Sequence, residues 1–195
     1  MTVADVVVLK CGERRLPRPL AGLPECTLDE VTEHRRVIVV GSESDLAAVL
    51  ARLMKAERLD IEVARATGWF TAMKALRGTA RRVPLIRDET GAVIVGAAEW
   101  RGPAEGAPLY GEAVVDDEQL FDGEVPGVRV EPTESMPGLR AAVLSASGRP
   151  GRWITGRAAQ LGTTGVQVVR DGVAAPRTAR RSTFYRHIEG WLKVG

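Results

Sequence analysis

Cysteine and histidine are nearly missing from this chain. Cys11, Cys26, His34 and His187 are the only ones in 195 residues, and they form neither a CxxC pair nor a His/Cys cluster. Neither a zinc site nor a disulfide scaffold is therefore expected, and the thiols read as reduced. Long apolar runs are also lacking: none approaches the roughly 18 residues of a membrane-spanning helix. The opening MTVADVVVLK has an acid, Asp5, where a secretion signal carries positive charge. These features predict a cytoplasmic protein with no transmembrane segment. Excess charge is absent too. A net charge of +2 points by itself to neither nucleic acid nor an anionic membrane. No Ser/His/Asp, Cys/His or metal-hydrolase constellation stands out.

What remains is ordinary globular material, 45% hydrophobic and 27% charged, long enough for one large domain or two small ones. DVVVLKCG (5–12) reads as a short parallel strand and the proline-broken ERRLPRPLAGLPE as loop. TLDEVTEHR (27–35) suits a short helix capped by Thr27, with Glu30 three residues on. RVIVVG is a second buried strand. SDLAAVLARLMKA places Leu46, Val49, Leu50, Leu53 and Met54 on one helical face. DIEVARAT returns as a strand, and GWFTAMKALRG gives a helix stopped at Gly78. Strand, helix, strand, helix predicts a parallel α/β unit over residues 1–80. From there to residue 195, short alternating runs are separated by Gly, Pro and Asp turns, which predicts a β-rich, sandwich-like unit.

Three places carry candidate chemistry. The turn Gly41-Ser42-Glu43-Ser44-Asp45 joins a buried strand to a helix, where many α/β proteins seat a phosphate on backbone N–H groups. It has one glycine and two carboxylates, and Ser42 and Asp45 are well explained as the cap of the following helix. The second strand-to-helix turn, Ala66-Thr67-Gly68-Trp69, is either a ligand contact or a plain turn with Trp69 and Phe70 filling the core. Near the C-terminus, Arg177, Arg180, Arg181 and Arg186 surround Phe184 and Tyr185 in RTARRSTFYRHIEGW. That run suits either anion binding or an edge strand with solvated arginines. Asp171-Gly172 suits a tight hairpin.

The order α/β then β-sandwich, together with these segments, resembles the diacylglycerol kinase and sphingosine kinase family, which shares a fold with NAD kinase. That family has a strand, G-G-D-G-T, and a helix. Here GSESDLAAV matches in length, with Gly41 at the first glycine, Glu43 at the aspartate, Asp45 at the threonine and Leu46 at the leucine. The family's P-x-G-T-x-N is matched by ARATGW, with Thr67 at the threonine and Trp69 in place of asparagine. Its D-G-E is matched by Asp171 and Gly172, followed by Val173. No signature is complete, and the family's extra helix and strand before the glycine turn have only a proline-rich stretch to match them.

The resemblance implies an NAD kinase/diacylglycerol kinase-like fold whose last strands return toward a cleft between the domains. It implies a nucleotide or ligand site at Gly41, Ser42, Ser44, Thr67 and Gly68, with Arg180 and Arg181 as anion contacts. If the protein is active, Glu43 would be the acid/base or metal ligand, with ATP and Mg²⁺ as cofactors. The departures argue instead for lost phosphoryl transfer, no cofactor, no resident metal, and a role as a binding or regulatory module. Its partner would be a small anionic or lipid-like ligand and not nucleic acid. A carboxylate about 4 Å from a phosphate charge is repelled by about 1 kcal/mol in water and about 4 kcal/mol at an effective dielectric of 20. An active small ATP-dependent kinase and an anion- or nucleic-acid-binding protein using the arginine run are the alternatives.

Overall fold

β-Branched runs set the first strands. In the computed structural model, which describes residues 5–195, VVVLK forms β1 (Val6–Lys10) and RVIVV forms β2 (Arg36–Val40). They pair in parallel, Val6 opposite Arg36 and Lys10 opposite Val40. α1 (Glu43–Lys55) leads to β3 (Glu62–Arg65), parallel to β2. α2 (Trp69–Arg77) ends at Gly78, and β4 (Ala80–Val83) follows.

Successive strand residues point to opposite faces. Val6 and Val8 face one way and Val7 and Leu9 the other, yet all four are buried, so both faces of this sheet are covered. Val6, Val8, Ile38 and Val40 pack with Leu20, Ala72 and Ala75, which places α2 and the 3₁₀ turn Arg18–Leu20 on their face. The opposite face is left to α1, through Leu46, Val49, Leu50 and Leu53, and to a second 3₁₀ turn, Glu30–Glu33, that touches α1. The helix expected over 27–35 shrinks to that turn. Glu30 Oε2 accepts from the Thr27 N–H (2.8 Å) and hydroxyl (2.9 Å), but the chain is extended again at His34.

Arg36 is a charged residue in the middle of this packing, only 4% exposed. Its Nε donates to Glu62 Oε2 (2.5 Å). Its two terminal nitrogens donate to the carbonyls of Ala75 (2.9 Å), Leu76 (3.0 Å) and Gly78 (3.0 Å). These are the orphan acceptors at the C-terminal end of α2, where a cation is also favoured by the helix dipole.

Beyond β4 the alternation is strand-like throughout. The strands are β5 (Ile86–Asp88), β6 (Val93–Ile94), β7 (Ala98–Arg101), β8 (Leu109–Val115), β9 (Glu118–Val125), β10 (Gly127–Pro132) and β11 (Leu139–Val143). They continue with β12 (Ile154–Gly156), β13 (Ala158–Arg170), β14 (Val173–Ala174), β15 (Ala179–Arg186) and β16 (Trp191–Val194). β5 to β15 make one antiparallel, sandwich-like sheet system in the order β12-β11-β10-β7-β13-β15-β5-β6, with β8 and β14 on β13 and β9 on β8. β13 pairs with β8 and β15 over its first half and with β7 and β14 over its second, and its register with β15 shifts between Gly162 and Val166. The core inside it centres on Trp100 and Phe184, stacked at 5.8 Å, with the indole N–H donating to the buried Ser182 hydroxyl (2.9 Å).

β16 leaves that sheet and pairs with β3 in parallel and β4 antiparallel, giving the order β1-β2-β3-β16-β4. The chain thus divides into one compact unit of residues up to Val83 plus Glu189–Gly195, and another of Pro84–Ile188. Among the described residues no helix is long and apolar enough to cross a membrane.

Candidate functional site

β1, β2 and β3 are neighbours and parallel, so their carboxyl ends bring three loops together. In open α/β sheets this edge is where ligands bind. The Cys11 N–H donates to the Val40 carbonyl (3.0 Å) and the Ala66 N–H to the Val39 carbonyl (2.9 Å), tying the loops side by side. The structure therefore gathers Gly41, Ser42, Glu43 and Ser44 with Thr67 and Gly68 at one sheet edge.

The first turn is closed on itself. The Asp45 N–H donates to Ser42 Oγ (3.2 Å), and the Ser42 N–H donates to Asp45 Oδ2 (2.7 Å), a reciprocal capping box. The Ser42 hydroxyl also donates to Asp45 Oδ2 (2.7 Å), so its contact with Ser44 Oγ (2.8 Å) is donated by Ser44. Hydrogen bonds from the Ser42 hydroxyl and N–H, with Arg14 nearby, hold the Asp45 carboxyl below its ordinary range against the opposing effect of its burial. Gly41 has a specific reason to be glycine: a Cβ there would lie 2.6 Å from Asp45 Oδ2. Glu43 points elsewhere and pairs with Arg65 at the end of β3 (3.1 Å).

Cys11 borders the same turn. Its thiol is pushed up by burial first and then by the Asp45 charge and hydrogen bond, and the Cys26 thiol is pushed up to about 11, chiefly by burial. Neither is an activated nucleophile.

The second turn is also self-satisfied, by Thr71, a residue the sequence reading passed over. Its hydroxyl oxygen accepts from the Thr67 N–H (2.8 Å) and the Gly68 N–H (2.9 Å) and donates to the Gly68 carbonyl (3.0 Å). A polar residue at the third helical position is a sequence signal for this arrangement. The Glu43–Arg65 pair left no such signal, since it joins residues 22 apart. Gly68 is extended and a Cβ on it would meet nothing within 4 Å, so the turn itself does not require glycine.

Trp69 and Phe70 correct an expectation. They do not fill the core: Trp69 is 55% and Phe70 79% exposed, packed edge to face on each other at 5.0 Å. The buried face of α2 is instead made by Ala72 and Ala75, small enough for close approach to the sheet, and the aromatics fall outside that face.

Arg180 and Arg181 lie in the other unit, on β15. That strand is internal, between β13 and β5, which corrects the expectation of an edge strand. Both arginines are exposed although adjacent in sequence, because the register shift between β13 and β15 falls beside them. Asp171 and Gly172 form the expected hairpin between β13 and β14, both at positive φ. Asp171 does more than turn the chain: its carboxylate accepts from the N–H groups of Val95 (3.1 Å), Gly96 (2.8 Å) and Ala97 (3.0 Å). Among the described residues no group of three His, Cys, Asp or Glu side chains is placed to hold a metal ion.

No family sequence profile and no curated protein sequence matches the chain. Solved structures do. A diacylglycerol kinase from Bacillus anthracis str. Sterne aligns with a TM-score of 0.73 at 12% identity, over 98% of this chain and 96% of that one. The fold is that of the NAD kinase and diacylglycerol kinase-like proteins. An NAD kinase from Archaeoglobus fulgidus, solved in complex with ATP, aligns at 0.69 and 11% identity, covering 97% and 93% of the two chains. Yeast NADH kinase complexed with NADH aligns at 0.62 and 9% identity, over 97% and 82%.

The capping box yields a prediction. Ser42→Ala should destabilise the protein by about 1 kcal/mol, read as a lower urea midpoint with unchanged slope. The Asp45 pKa is depressed in the folded state, so its contribution is present above the unfolded Asp value of about 3.9 and is lost as pH falls through the folded one. The penalty of Ser42→Ala should therefore shrink on acidification below about pH 4. A penalty that is absent at pH 7 would show that the box does not cap α1.

Proposed function

We propose that this chain is a kinase-fold protein that does not transfer phosphate and serves as a binding or regulatory module for a small anionic or lipid-like ligand. One observation carries the reading: the Asp45 carboxylate already holds the Ser42 N–H at 2.7 Å, the kind of donor a phosphate would need. A carboxylate in that position stands in for the anion. It satisfies the donor, adds a charge of the same sign as a phosphate, and fills the space beside Gly41. The second turn supports the reading, since the N–H groups of Thr67 and Gly68 are held by Thr71. The residues present thus do not fit a triphosphate. Nor do they fit its metal, because Glu43 is paired with Arg65 and Asp45 with Ser42.

ATP and NADH are the ligands of two fold neighbours, so a nucleotide is the first ligand to test. Titration calorimetry of the full chain with Mg-ATP should give no saturable heat below millimolar concentration. A dissociation constant in the micromolar range would overturn the reading and return Glu43, Thr67 and Gly68 to the nucleotide site of an active kinase.

A further inference from the structure

The exposed aromatic pair on α2 takes no part in the hydrogen bonds of the Thr67–Gly68 turn, which Thr71 satisfies. α2 and the 3₁₀ turn Arg18–Leu20 share one face of the parallel sheet, joined through Leu16, Leu20, Ala72, Ala75 and Leu76. Outside that shared core, cations outnumber acids on these two segments. Between Gly12 and Leu23 Arg14 lies toward Asp45, the exposed Arg15 and Arg18 stand against Glu13 alone, and α2 adds exposed Lys74 and Arg77 with no acid. Arg15, Arg18, Lys74 and Arg77 make no ion pair among the described residues. The contrast with the other unit is direct: there Arg101, Arg129 and Arg140 alternate with Glu99 and Glu131 and neutralise one another.

We propose that this face docks on an anionic membrane surface, with Trp69 and Phe70 entering the headgroup boundary and the surrounding cations against lipid phosphates. A short helix with aromatics at one end and Lys/Arg on its outer side is built for the interface and not for crossing it. The charge also selects among partners. A second copy of the chain would bring the same cations against themselves, which is repulsive. A nucleic acid would use the rings as stacking platforms, but they stand 89° apart at 5.0 Å. Two successive bases could not both stack without separating the pair, whereas insertion into lipid buries both rings in the orientation they already have. The inference rests on α2 and its neighbouring turn, so it stands whether or not the Gly41–Asp45 turn binds nucleotide.

Co-sedimentation of the full chain with phosphatidylcholine vesicles, with and without phosphatidylserine, tests it. Binding should require phosphatidylserine and weaken with added salt. Lys74→Gln and Arg77→Gln should each weaken it about fivefold. Trp69→Ser with Phe70→Ser should abolish it, with the circular dichroism spectrum unchanged because both side chains are exposed. Brominated lipid should quench the wild-type protein's fluorescence, and Trp69→Phe should remove most of that quenching. Failure to bind phosphatidylserine vesicles would overturn the proposal. So would binding that survives the double serine change, or a self-association or RNA affinity that the double change removes while vesicle binding is weak.

Discussion

Arg36→Met should be among the most damaging single substitutions in the parallel-sheet unit, with a loss of about 3–5 kcal/mol. The side chain is almost fully buried and makes four polar contacts, one to Glu62 and three to carbonyls at the end of α2. Methionine has similar length, so packing is largely kept and what disappears is the charge and its donors. Three helix-end carbonyls lose their donors, and the Glu62 carboxylate keeps only the more distant Arg35 at 3.5 Å. Urea unfolding followed by circular dichroism would measure the loss. A second change separates the buried charge from packing: Glu62→Leu added to Arg36→Met should recover part of it, because an apolar pair leaves no unpaired carboxylate. A loss under 1 kcal/mol for Arg36→Met would mean that α2 is held by its apolar face alone. The substitution also bears on function, since α2 presents Trp69 and Phe70 and starts at the Thr67–Gly68 turn.

Arg36 shows where sequence reading stops. The runs VVVLK and RVIVV, the helical spacing of Leu46 to Leu53 and the Gly78 stop were all legible, because each is a local pattern with a fixed period. Together with the later alternation they were enough for the fold class. An arginine opening a buried strand carries no local mark of its three carbonyl partners, 39 to 42 residues away. The same limit hid the clamp of Asp171 on the backbone of Val95 to Ala97. Trp69 and Phe70 failed for a different reason. Aromatics usually fill cores, but here two alanines took the inward face of α2 and left the rings outside. In the turn itself the cap was legible from Ser42 and Asp45. The box itself, with the Asp45 carboxylate on the Ser42 N–H, follows from that spacing; what did not is that the carboxylate also fills the space beside Gly41.

That placement leads to the largest expected change in ligand affinity. Converting the turn with Ser42→Gly, Ser44→Gly and Asp45→Thr should raise Mg-ATP affinity at least tenfold. The change removes the carboxylate from the Ser42 backbone N–H, opens the space beside Gly41, and lets the backbone approach an anion closely. Removing one charge about 4 Å from a phosphate is worth about 1 kcal/mol in water and about 4 kcal/mol at an effective dielectric of 20, or roughly fivefold to a thousandfold. Glu43 keeps its partner Arg65 at 3.1 Å, so its charge stays partly neutralised in the variant. The cost falls on the helix: losing the box should lower stability by about 1 kcal/mol, with up to about 1 kcal/mol more for glycine inside the first turn. Asp45→Asn isolates the charge, since the amide oxygen can still accept from the Ser42 N–H. If electrostatics dominates, it should recover part of the ATP affinity with little loss of stability. If the triple variant loses its cap, stays folded by circular dichroism and still gives no heat with Mg-ATP, the turn is no decayed phosphate seat and its residues serve only to start α1.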